Sequence, residues 1–261
     1  MGEAGHPAAA ERYSDADLRL LCAFANQAAM ALENARLVEA ARLEEGVRAT
    51  LERFFPPATL RRVLEGGPIE TTECEVTALF CDIVGYTTIS SEMAPEAVMS
   101  LLKAFLPAMS ELVFRHEGTL EKYIGDALLA VWGAPYSRPD DAQQALRCAM
   151  AMQAEMPKLN ARLLESGLKL PGPLAIHIGL HSGRVAAGNL GSDRYVQYAT
   201  IGDATNVASR VCNSAAADQI VFSEATRVRL GELVVGAESM GEVALRGKPE
   251  PVLLWRLGPT R

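Results

Sequence analysis

Residues 75 to 90 constrain the chain more than any other stretch. Val76 to Cys81 is a run of β-branched, aromatic and apolar residues, which reads as a buried strand. The strand ends on a carboxylate, Asp82. A turn at Val84, Gly85 and Tyr86 follows, and a Thr/Ser-rich stretch then opens a helix. An acid at a strand end, before a glycine turn and a helix start, can hold a metal-bound phosphate. The acid takes the cation, and the free N–H groups of the turn and first helical turn face the anion. The same residues also describe a strand whose terminal Asp caps the next helix. This stretch alone does not choose between the two.

The chain has 261 residues, of which 49% are hydrophobic and 22% charged. At roughly 100–200 residues per domain, that is one full domain plus an extra segment. Residues 1–13 are small and polar and are expected to be disordered. Ser14 followed by Asp17 then opens a helix as a capping box does. Leu18, Leu21, Ala25, Ala28, Leu32 and Ala35 recur at spacings of three and four, a coiled-coil or bundle stripe. The phase slips near Leu37 and is taken up again by Leu43, Val47, Leu51 and Phe54. The slip marks either a local change of winding or a junction between two helices. Pro56 and Pro57 end the helix, Leu60 to Leu64 reads as a short second one, and Gly66, Gly67 and Pro68 break the chain. Residues 14–66 are therefore expected to be a helical and coiled-coil extension, and 70–257 the main domain.

Within the main domain, Pro95 to His116 and Asp140 to Leu164 carry helical patterns. Thr119 to Ile124 and Ala127 to Trp132 read as a hairpin turning at Gly125 and Asp126. Leu174 to Leu180, Val185 to Asn189 and Tyr195 to Ile201 read as three further extended elements, and a helix follows from about Thr205. Gln219 to Phe222, Glu242 to Arg246 and Val252 to Leu257 close the chain as strands. Strands and helices mix without strict alternation, so an α+β sandwich is expected rather than a doubly wound sheet.

The net charge of −7 disfavours non-specific nucleic-acid binding, which depends on neutralising phosphates. Five scattered cysteines without a C-x-x-C pair suit a reducing compartment. The N-terminus lacks the regions of a signal peptide, His6 stands where a myristoylation site needs Ser or Thr, and no apolar run approaches the ~18–20 residues of a membrane span. A cytoplasmic protein without a membrane span is expected.

Asp82 and Asp126 both end apolar runs, where a lone charge would be costly to bury. Brought together by neighbouring strands, they would repel unless a cation lay between them, and oxygen ligands suit Mg²⁺. As the second residue of Gly-Asp, Asp126 also serves as an ordinary hairpin-turn residue. Asn206 and Arg210, four apart on one helical face, can hold phosphate oxygens, although a solvated Asn/Arg pair reads the same way.

Phe80 to Thr87, Glu121 to Asp126, Ile178 to Gly183 and Tyr198 to Arg210 occur in the order and approximate spacing of class III nucleotidyl cyclases, and residues 70–257 resemble that catalytic domain. The resemblance implies a ferredoxin-like βαββαβ palm and conversion of ATP to 3′,5′-cyclic AMP and pyrophosphate. It implies Asp82, Asp126 and the Ile83 carbonyl as ligands of two Mg²⁺ or Mn²⁺ ions, and Gly85, Tyr86 and Thr87 as a triphosphate cradle. By the same resemblance Lys122 recognises adenine, Asn206 and Arg210 stabilise the transition state, and Arg246 contacts the distal phosphates. The sequence departs from the family pattern at Ala199, where adenylate cyclases place Asp or Thr. Thr200 is adjacent, but a one-residue slip on a strand reverses the face, so Thr200 needs a local bulge to substitute. Guanylate or mixed specificity, or a silent nucleotide-binding dimerisation module, are the alternatives.

Lys122 and Asp126 would lie about 13 Å apart on an extended arm at ~3.3 Å per residue. Unless the hairpin curls sharply, base and metal then call for two chains, and the resemblance implies a homodimer with two shared sites. Tyr13 to Leu37 resembles the last helix of a GAF sensor domain, so an upstream sensor is expected in the full-length protein. His116, His177 and His181 read as surface or core histidines, His181 being a general-base candidate by chemistry only.

Overall fold

The computed structural model describes residues 14–51, 55, 60, 71–192 and 195–258. The expectations for residues 1–13, for a helix over 60–64 and for the break near 66 lie outside the described residues. The chain divides into two compact units, Met1–Thr50 and Leu51–Arg261.

The described residues of the first unit lie in or at the start of one helix, α1 (Asp15–Leu51). Its start is the expected capping box. Asp17 Oδ2 accepts from the Ser14 N–H at 2.8 Å and from the Ser14 hydroxyl at 2.6 Å, while the Asp17 N–H donates back to Ser14 Oγ at 3.3 Å. The helix continues unbroken past Leu37, so the phase slip does not mark a junction between two helices. Leu18, Leu21, Phe24, Leu32 and Leu43 are all exposed along it.

The second unit runs β1 (Thr72–Ile83), α2 (Tyr86–Glu92), α3 (Pro95–Arg115), β2 (Thr119–Ile124), β3 (Ala127–Trp132), α4 (Asp141–Glu165) and β4 (Ile176–Ser192). It continues with β5 (Tyr195–Ile201), α5 (Asp203–Asn213), β6 (Ile220–Ser223), α6 (Glu224–Leu230), β7 (Glu238–Val243) and β8 (Val252–Leu257). The sheet order is β2-β3-β1-β4-β6-β8-β7, with β5 paired to β4. Its first four strands with α3 and α4 form the expected βαββαβ palm.

Side chains of β1 alternate between two cores, as strand geometry requires. Leu79, Cys81 and Ile83 face α3 and α4, meeting Leu101, Phe105, Met109, Leu146 and Met152. Val76, Ala78 and Phe80 face the opposite side, where Tyr198 of β5 and Ala204, Ala208 and Cys212 of α5 cover them. α5 sits directly on β4 because residue 179 is glycine. A Cβ there would come within 2.1 Å of the Cys212 nitrogen and 2.7 Å of the Ala208 oxygen. α3 is long and apolar enough to cross a membrane, but Leu101, Phe105, Met109, Leu112 and Val113 are buried in the core of this unit.

Two sequence expectations need correction, and one helix has no counterpart among them. The two elements proposed at Leu174 to Leu180 and Val185 to Asn189 are one 17-residue strand. Its first part pairs with β1 and β6, and its last part with β5, so no turn is needed between them. The penultimate strand is Glu238–Val243, which leaves Arg246 in the turn beyond it instead of on a strand. Helix α6 was not anticipated. It starts where the Ser223 hydroxyl accepts from the Thr226 N–H.

Candidate active site

Asp82 is the penultimate residue of β1, and Asp126 lies in the two-residue turn joining β2 to β3, where Gly125 takes φ 66°. Because β3 runs antiparallel beside β1, with Cys81 opposite Leu128, that turn lies next to the end of β1. The Ile83 N–H donates to Asp82 Oδ1 at 3.0 Å and to Asp126 Oδ2 at 3.2 Å. One amide thus gathers both carboxyl groups.

Burial, followed by the hydrogen bond and charge of Asp82, pushes the Asp126 carboxyl up to about 7. Burial works on Asp82 in the same direction, but the nearby His177 ring and the Asp126 carboxyl outweigh it and hold Asp82 below its ordinary value. The pair resists carrying two negative charges, and a hard divalent cation would relieve it. Among the described residues no three His, Cys, Asp or Glu side chains form a fuller cage. A largely hydrated ion held by one or two carboxylates and a phosphate is the mode of binding that suits such a donor set.

His177 was read from sequence only as a core or surface histidine. It lies level with Asp82 in the β1–β4 ladder, with Nε2 3.7 Å from Asp82 Oδ2 and Nδ1 3.2 Å from the Ala215 carbonyl. The Asp82 carboxylate beside it raises its pKa against the effect of burial. A lone polar side chain inside the apolar run Ile176 to Leu180 was the available signal.

Gly85 takes the left-handed conformation at φ 69° and stands before α2, and its carbonyl accepts from Thr88 and Ile89 at 3.0 and 3.1 Å. No side chain caps this N-terminus, and the first N–H groups of a helix have no acceptor within it. The backbone of Gly85, Tyr86 and Thr87 therefore has donors to offer one turn beyond the carboxylates.

Lys122 of β2 is joined to Thr200 of β5 through Glu121. The Lys122 ammonium lies 3.0 Å from Glu121 Oε1, while Glu121 Oε2 accepts from the Thr200 N–H at 3.2 Å and from the Thr200 hydroxyl. Ala199 and Thr200 are both buried. The strand β5 pairs with β4 without a bulge, so Thr200 is directed inward to Glu121. Asn206 and Arg210 lie one turn apart on α5, away from its buried residues Ala204, Val207, Ala208 and Val211. The Arg210 guanidinium lies against Gly247, where a Cβ would be 3.3 Å from its Nη2. Arg246 is exposed in the same turn, and Lys248 pairs with Asp203. His181 bonds Ser223 at 2.7 Å, and burial drops its pKa to about 4, which suits a neutral structural histidine. Among the described residues no hydrogen bond or ion pair links the carboxylates to Lys122, Asn206 or Arg210.

The profile of the adenylate and guanylate cyclase catalytic domain matches residues 69–257. The chain belongs to this class III cyclase family. It is 34% identical over 165 residues to adenylate cyclase 1 of Rhizobium meliloti, covering 62% of the chain and 24% of that relative. It is 30% identical over 215 residues to the receptor-type guanylate cyclase gcy-28 of Caenorhabditis elegans, covering 81% of the chain and 16% of that relative. The chain thus spans at most about a quarter of either protein's length. Among solved structures, the adenylyl cyclase CyaB from P. aeruginosa matches with a TM-score of 0.68 at 30% identity, over 74% of this chain and 97% of that one. The guanylyl cyclase Cya2 matches with 0.67 at 30% identity, over 72% and 94%. Both base specificities occur among the relatives of this cyclase domain, so membership does not choose the base.

Proposed function

We infer that the cyclase domain acts on ATP, forming 3′,5′-cyclic AMP and pyrophosphate. The observation that carries the catalytic part is the convergence of Asp82 and Asp126 on the Ile83 amide. Two Mg²⁺ or Mn²⁺ ions held by these carboxylates and the Ile83 carbonyl would, when bound, activate the ribose 3′-oxygen and offset charge at the α-phosphate. The remaining work falls to the protein. The N–H groups of Gly85, Tyr86 and Thr87 receive the triphosphate, with Arg246 toward its far end. Asn206 and Arg210 donate to the oxygens that gain charge as the 3′-oxygen bonds to the α-phosphorus and pyrophosphate leaves.

The preference for ATP rests on Lys122. Its ammonium can only donate, which suits the ring nitrogen acceptor of adenine, whereas guanine presents an N–H at that position. The specific reason to keep guanylate or mixed specificity as a second reading is Ala199, a buried methyl where a base-contacting polar group was expected. A silent binding module is disfavoured because both carboxylates and the Asn206/Arg210 pair are present.

Each site would draw Asp82, Ile83 and Asp126 from one chain and Lys122, Asn206 and Arg210 of the partner subunit. Tyr123, Ile124 and Ile201, exposed on or beside β2 and β5, would supply apolar contact in such a dimer, and the exposed apolar stripe of α1 would pair with its copy. Purified chain assayed with Mn²⁺ and equimolar ATP or GTP tests the assignment. Cyclic AMP as the main product is expected; cyclic GMP as the main product, or none of either, would overturn it. Removal of residues 1–50 tests the role of α1, with weaker dimerisation and an altered basal rate as the expected result.

A further inference from the structure

Glu121 is fully enclosed, only 3% exposed, and sits between two residues tied to base selection, although no catalytic step uses it. In a regular strand Glu121 and Lys122 would point to opposite faces. Here Leu120 pairs with Ala130 and Lys122 with Leu129, so Glu121 is an extra residue in β2. A bulge of this kind turns and re-aims side chains, and it lets the Lys122 ammonium lie 3.0 Å from Glu121 Oε1. The other oxygen takes both donors of Thr200, its N–H and its hydroxyl.

We propose that Thr200 and Glu121 are positioning residues that hold Lys122 for the purine base and thereby set the preference between adenine and guanine nucleotides. The inference rests on the assignment of Lys122 to base recognition made above. Thr200 fixes the carboxylate, and the carboxylate fixes the ammonium. The Lys122 side chain remains one-third exposed, with further N–H donors free for a ligand. A pinned, donor-only group meets the acceptor edge of adenine. Guanine requires an acceptor for its ring N–H and amino group, and the Glu121 carboxylate beside Lys122 is already engaged by Thr200 and Lys122. Thr200, one position beyond Ala199, thereby influences the base without touching it, and Ala199 need make no polar contact.

The test is steady-state kinetics of the full chain with Mn²⁺ and ATP or GTP on Thr200→Val, Thr200→Ser, Glu121→Gln and Lys122→Ala. Thr200→Val keeps the side-chain shape and removes the hydroxyl donor. It is expected to raise KM for ATP and lower the ATP/GTP ratio of kcat/KM by about tenfold, roughly what one charge-assisted hydrogen bond contributes, with kcat for ATP nearly unchanged. Thr200→Ser is expected to restore both quantities, and Glu121→Gln to shift the ratio at least as far as Thr200→Val. Should Glu121→Gln fail to fold, the Thr200 pair decides alone. A Thr200→Val enzyme with an altered melting temperature but unchanged KM and nucleotide ratio would overturn the proposal. If Lys122→Ala also leaves the ratio unchanged, the assignment of Lys122 falls with it; if Lys122→Ala moves the ratio, only the Thr200–Glu121 inference is lost.

Discussion

The β2–β3 hairpin carries two carboxylates five positions apart whose circumstances are opposite. Glu121 is enclosed, yet its oxygens are matched by an ammonium, a hydroxyl and an amide. Asp126 is only half-buried, but it faces Asp82 across a single shared N–H, and its carboxyl is pushed up to about 7. Burial alone therefore does not indicate where a ligand is needed. What matters is whether the protein itself completes the electrostatics. At Glu121 it does, which is how a charge can lie in the interior. At Asp82 and Asp126 it does not, and a bound divalent cation would make up the deficit.

The largest test removes the carboxylates at the deficient end. Asp82→Ala or Asp126→Ala is expected to cut cyclic nucleotide formation by at least about 10³-fold, the scale of losing a principal transition-state contact, with the far-ultraviolet circular dichroism unchanged. Turnover within tenfold of the parent in either variant would show that the pair is not the metal site.

The matched end should respond in stability. Glu121→Ala leaves the buried N–H and hydroxyl of Thr200 without an acceptor, at about 1–3 kcal/mol for an unsatisfied buried group. A fall in melting temperature of about 5 °C or more is expected for a domain of this size. Unchanged melting would mean that Glu121 is more solvated than its enclosure indicates.

How far these two ends could be read from sequence follows from how local their causes are. The hairpin limits at Thr119, Ile124, Ala127 and Trp132 match those expected, because Gly125 and Asp126 impose the turn locally. Asp82 and Asp126 could be paired because each ends an apolar run. Glu121 was invisible as a buried group, because its enclosure depends on a bulge and on Thr200, 79 positions away. His177 was missed for a similar reason, since only the β1–β4 register sets it level with Asp82. His181, Ser182 and Gly183 interrupt the apolar pattern of the long β4, so the sequence reads as two elements there. In the fold, Ser182 is instead buried and bonded to Thr77 at 2.8 Å.

A smaller effect sharpens the contrast through pH. Holding a cation requires Asp126 to be ionised, so metal binding must release a proton from a carboxyl that titrates at about 7. Affinity for Mn²⁺ is expected to fall about tenfold between pH 8 and pH 6. Calorimetry in buffers of different ionisation enthalpy should register the released proton near pH 6 and little release at pH 8. Binding that is flat across this range, with no proton release, would place the cation elsewhere.

The smallest effect has the opposite sign to that at Glu121. A carboxyl whose pKa is raised by folding contributes stability that is complete below its unfolded value and lost as pH rises through about 7. The metal-free domain should therefore melt lower at pH 8 than at pH 5 on account of this group. Asp126→Asn abolishes the like-charge contact while keeping the shape, and at pH 8 it should raise the melting temperature. Discounted for the half-exposure of the site, the gain is about 1 kcal/mol, or about 2–4 °C in a domain of this size. The variant should also flatten the decline between pH 5 and pH 8 while remaining inactive. A lower melting temperature at pH 8 would mean that Asp126 stabilises the fold as Glu121 does, and the distinction between the two ends of the hairpin would disappear.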